Sequence, residues 1–86
     1  MLKTWKADGE LPYRIEVDNL SGAGTSPATA AMAALSAGGR IPVGMRDGKA
    51  AAAYIFWRYE HNPEWLQLIR ILEINKFEEV KDEQAG

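Results

Sequence analysis

Cysteine is absent from the 86 residues, so the chain has no disulfide framework, no thiolate metal site and no thiol nucleophile. Histidine occurs once, at His61. Its neighbours Glu60 and Glu64 do not stand at the spacing of a zinc-binding helix, and Pro63 prevents one continuous helix from presenting all three. Any enzyme built here would rest on carboxylates, hydroxyls or lysines alone, and none of these forms a recognisable constellation. The expectation is therefore no catalytic residue, no metal and no cofactor.

Long apolar runs are also missing. The richest, from Trp65 to Ile74, is interrupted by Gln67, Arg70 and Glu73, and the opening MLKTWKADGE lacks the apolar centre of a signal peptide. Neither a membrane span nor export is expected, and the lack of cysteine favours a reducing, cytoplasmic setting. Strong charge of one sign is absent too: 10 Lys and Arg face 12 Asp and Glu, for a net charge of -2. Nucleic-acid-binding domains are usually markedly basic, and no signature of such a domain occurs. The charges are unevenly spread, however, with most cations before Tyr59 and an excess of acids after it.

What is present suits one small core. Hydrophobic residues make up 47% of the chain, including three Trp, enough to offset chain entropy in a single domain of this length. Residues 1–77 are expected to form it, with 78–86 an acidic, flexible tail.

Residues 2–6 and 12–18 read as a hairpin. Tyr13, Ile15 and Val17 alternate with Arg14, Glu16 and Asp18, and Asp8-Gly9 supplies a turn pair. The small-residue stretch 19–26 reads as a loop feeding a helix from Pro27 to about Ala37, capped by Ser26 and ended by Gly38-Gly39. Ala28, Ala31, Met32 and Leu35 give that helix one narrow stripe. Residues 40–46 alternate Ile41, Val43 and Met45, but Pro42 and Gly44 limit them to an edge strand or extended loop.

Residues 47–77 admit two opposite readings around Asn62-Pro63. In the preferred one, Asp47 caps a helix from Gly48 to about His61 and a strand follows over 66–75. In the alternative, Asp47-Gly48 turns a hairpin, 51–59 is a strand, and Asn62-Pro63 starts a final helix. The consecutive alanines favour the first, while β-branched Ile69, Ile71 and Ile74 favour a strand after the break. Both give an α+β class: a small antiparallel sheet of three to four strands with two helices packed on it, in ββααβ order or, alternatively, ββαββα.

Two surfaces are candidates for binding. Gly22, Gly24, Thr25 and Ser26 lie before a helix start, where glycines admit a ligand and free N–H groups attract an anion, although no P-loop or dinucleotide pattern completes the site. Trp5, Arg40, Arg46, Lys49, Phe56 and Arg58 combine aromatics with cations and are the candidate partner contacts. On a helical wheel for 48–61, Phe56 falls with Lys49 and Glu60 toward water, whereas Arg58 falls beside Tyr54 and Ile55, placed to reach the edge or a carboxylate such as Glu16. A small non-enzymatic protein-binding module is the leading function class, with inhibitors of the phage and mobile-element kind as its model. A nucleic-acid, nucleotide or anion-binding accessory protein is the alternative.

Overall fold

The computed structural model describes residues 2–59 and 63–77. Strands β1 (Lys3–Lys6), β2 (Tyr13–Val17) and β3 (Leu20–Gly24) are followed by helices α1 (Pro27–Ala37), α2 (Gly48–Tyr59) and α3 (Pro63–Ile74). The class is α+β, as the sequence implies, but the order is βββααα.

The sheet is an antiparallel meander, β1-β2-β3. In the first hairpin Lys6 pairs with Tyr13, and the Ala7 N–H donates to the Pro12 carbonyl at 2.8 Å. In the second, Val17 pairs with Leu20, so Asp18 and Asn19 alone make the turn. Asp18 takes a left-handed φ of 54°, which aspartate tolerates better than most residues and which two-residue hairpin turns demand. Alternation then sorts the faces. Ile15 and Val17 are buried and Tyr13 partly so, joined by Leu2, Thr4 and Leu20, while Trp5, Arg14 and Glu16 lie on the opposite, outer side.

Helix α1 lies at the centre. One side packs on β3 and β2, and the other meets α3 and α2, which also pack on each other. It is therefore buried along two sides, through Ala30, Ala31, Ala34 and Leu35, rather than along one narrow stripe. Small side chains make this possible. A Cβ at Gly22 would lie 2.5 Å from the Ala30 carbonyl oxygen, and one at Gly24 would lie 2.5 Å from the Ala30 nitrogen. Strand and helix touch backbone to backbone, an approach that glycine permits because it has no side chain.

Three expectations are corrected. Residues 20–24 form β3 rather than loop, because Asp18-Asn19 closes a second hairpin. Of the two forms open to residues 40–46, strand or loop, the structure takes the loop, with the Met45 N–H turned back to the Pro42 carbonyl and Gly44 at φ 91°. Residues 63–74 are helix, so the described residues form three helices rather than two, and among these it is α1 that packs extensively on the sheet. Trp65, Leu68, Ile69, Ile71 and Leu72 are buried at helical spacing, each worth about 1.5–3 kcal/mol of transfer from water, which outweighs the few tenths by which isoleucine disfavours a helix. Each reading of 47–77 thus holds for one half: Asp47 caps α2, with the Lys49 N–H donating to its carboxylate at 3.1 Å, and Pro63 opens α3. Residues 78–86, the expected tail, lie outside the described residues, as do Glu60 and His61.

Candidate functional site

Helix α2 buries Ala51, Ala52 and Ile55 against its neighbours. At about 100° per residue, Trp57 projects opposite Ile55 and Ala52, with Ala50 and Ala53 on the same outward side. Trp57 is 70% exposed and Phe56 51% exposed. The Trp57 ring meets Tyr54 edge-on, with centroids 5.9 Å apart. The Arg58 guanidinium lies 5.7 Å from the Trp57 centroid and 6.0 Å from that of Tyr54. Arg58 is thus exposed beside Tyr54, at the edge of the buried stripe, with its guanidinium over aromatic faces rather than paired with Glu16. Lys49 is exposed on the first turn, and the twelve residues of α2 carry two cations and no acid.

The other candidate contacts are dispersed. Trp5 belongs to the outer face of the sheet, opposite Arg14, on the far side of the sheet from α1. Arg40 is half-buried, its guanidinium 5.7 Å from the Tyr59 centroid and 5.8 Å from that of Trp65, whose rings stack at 4.9 Å. It clasps the ends of α2 and α3. Arg46 is exposed just before α2. Lys49, Phe56 and Arg58 therefore share an element, and Trp5 and Arg40 serve other surfaces. Because the cations do not converge with Trp5, no basic-aromatic strip for a nucleic-acid strand is assembled from the expected set.

At the start of α1 the backbone donors are already engaged. The Ser26 N–H donates to Thr29 Oγ1 (2.8 Å), the Ala28 N–H to Asn75 Oδ1 (2.8 Å), the Thr29 N–H to Ser26 Oγ (3.2 Å) and the Ala30 N–H to the Ser26 carbonyl (2.9 Å). Pro27 has no N–H to offer. Ser26 and Thr29 form a reciprocal capping box, and Gly22 and Gly24 turn their open sides to α1. The residue types that suggest an anion cradle are those that a tight strand-to-helix connection requires.

Trp57 is the residue that the aromatic-cation pattern passes over. Its signal is nevertheless in the sequence: it stands diametrically opposite the alanine and isoleucine stripe once 48–59 is drawn as a helix. No family model matches the chain, and no curated protein or solved structure matches it.

Proposed function

We propose that the chain is a non-enzymatic protein-binding module that lays the outward side of α2 into an apolar, carboxylate-rimmed groove of its partner. The observation that carries this reading is the exposure of Trp57 and Phe56 on a helix that is apolar around most of its circumference. Scattered surface apolar residues are ordinary, but two adjacent large aromatics beside a cation resemble the anchors that dominate interface energies. Exposed Ala50 and Ala53 add no bulk, so another backbone can come close. Lys49 and Arg58, with Arg46 preceding the helix, favour an acidic rim on the partner. Two copies meeting through α2 would oppose cation-bearing faces that lack acids, which makes a second copy the poorer occupant. A module of this kind acts by occupancy, blocking whatever else its groove receives, and that is the sense in which it would inhibit.

The test pairs capture with charge reversal. Immobilised chain incubated with extract of its own cell should retain a protein that is lost with Trp57→Ala and with Lys49→Glu plus Arg58→Glu, while both variants melt within a few degrees of the parent. Retention unchanged in both variants overturns the reading. So does sedimentation equilibrium showing that the purified chain dimerises through Trp57.

A further inference from the structure

Where β1 and β2 meet the start of α1 and the end of α3 there is a cavity of about 340 Å³, whose lining includes Thr4, Trp5, Lys6, Tyr13, Lys76 and Phe77. Its volume falls in the ~300–1,000 Å³ range of small-molecule sites. Tyr13 and Phe77 form its aromatic wall, in an edge-to-face contact with centroids 5.8 Å apart. Lys6 Nζ stands 4.9 Å from the Tyr13 centroid, and exposed Lys76 adds a second ammonium. Thr4, only 7% exposed, is the buried polar residue among the described residues, and its Oγ1 has no hydrogen-bond partner among them. Buried hydroxyls are nearly always satisfied, so an orphan beside a cavity is open to a bond from a bound molecule.

We propose that this cavity binds a small aromatic carboxylate, its ring against Tyr13 and Phe77 and its carboxylate between Lys6 and Lys76. Two ammoniums select an anion, while the ring surfaces favour a flat apolar body over inorganic phosphate. Thr4 Oγ1 is shut off from water, and rotation about χ1 between staggered wells carries it to a ligand oxygen. This site lies at the sheet and the end of α3, on elements other than the α2 surface proposed for a protein partner, and stands or falls separately from it.

The probes are indole-3-acetate, its uncharged carboxamide and inorganic phosphate, each titrated into the full chain by calorimetry and by amide chemical shifts in NMR. Saturable one-to-one binding of indole-3-acetate is expected, with shifts concentrated at Thr4, Tyr13 and Phe77, and with the carboxamide and phosphate at least tenfold weaker. Lys76→Gln, a surface change, and Thr4→Val, which keeps the side-chain shape, should each weaken binding at least fivefold while the spectrum stays that of the folded chain. Lack of saturation at millimolar probe, equal affinity for acid and carboxamide, or parental affinity in both variants overturns the proposal.

Discussion

Replacing Gly22 by alanine separates a packing glycine from a loop glycine by the sign of the stability change. Gly22 does not occupy the left-handed region, so alanine can adopt its backbone conformation without strain. In an open loop the substitution would raise stability by about 0.4–1 kcal/mol, because alanine leaves the unfolded chain fewer states. Here the new Cβ would meet the Ala30 carbonyl oxygen at 2.5 Å and Ala34 Cα at 2.9 Å, against at least 3.4 Å for ordinary contact. Strand and helix would have to part by at least about 0.9 Å, since the Ala34 nitrogen lies closer still than the Ala30 oxygen. Neither can retreat freely, since α1 is held from behind by α3 and α2. Overpacking of a rigid contact costs typically about 1–3 kcal/mol, and backbone on both sides puts Gly22→Ala at the upper end, about 3 kcal/mol. For a domain of this size that lowers Tm by roughly 12–24 °C. Thermal and urea denaturation followed by circular dichroism would measure it. An unchanged or higher Tm would refute the backbone-to-backbone contact and return residues 19–26 to the status of an open loop.

Three further substitutions test other joints. Asn75→Ala removes the acceptor for the Ala28 N–H and imposes a φ of 59° on a residue that disfavours it, for a loss of about 2–3 kcal/mol. Asn75→Gly should lose about 1 kcal/mol, since only the hydrogen bond goes, and equal losses in urea melts would dismiss the backbone component. Arg40→Ala should cost about 1 kcal/mol through its two ring contacts, and that cost should vanish in a double-mutant cycle when Tyr59 and Trp65 are both replaced by leucine. Thr4→Val should raise stability by about 1 kcal/mol, because it removes a buried hydroxyl with no partner among the described residues, and a lower Tm would show that the hydroxyl is satisfied.

Local chemistry carried the parts of the fold that were legible. The β1–β2 hairpin, the Ser26-Pro27 start of α1, the Asp47 cap and the Pro63 start of α3 each depend on neighbouring residues that the sequence displays together. The strand β3 was hidden because LSGAG has almost no side-chain pattern; its glycines record contact with a helix several residues onward, which is tertiary information. The α3 helix was obscured by Leu66 and Ile74, both exposed, which filled in the polar side of the wheel and left the β-branched isoleucines to weigh for a strand. The exposure of Phe56 was legible from its phase relative to Lys49. The diversion of Arg40 was not, because Tyr59 and Trp65 come together only when α2 and α3 pack.

The layering also bears on why α2 is the surface to examine for a partner. An alanine-rich helix can serve as a central layer because it admits close neighbours on two sides, here the glycine-bearing β3 and the α2–α3 pair. That arrangement puts α2 at the outside of the stack, with one narrow stripe of Ala51, Ala52 and Ile55 covered. A helix so placed needs apolar residues on about a third of its circumference and gains solubility from charge on the rest. The segment GKAAAAYIFWRY instead carries two charges, and it turns Ala50, Ala53, Phe56 and Trp57 outward. Folding of this chain does not require a tryptophan at position 57, since a residue 70% exposed contributes little burial. Replacing it with lysine should leave the melting temperature within about 2–4 °C, the usual ±0.5 kcal/mol of a surface change, and should abolish partner capture. Were the chain to unfold instead, Trp57 would be a structural residue and the apolar side of α2 would be explained by packing alone.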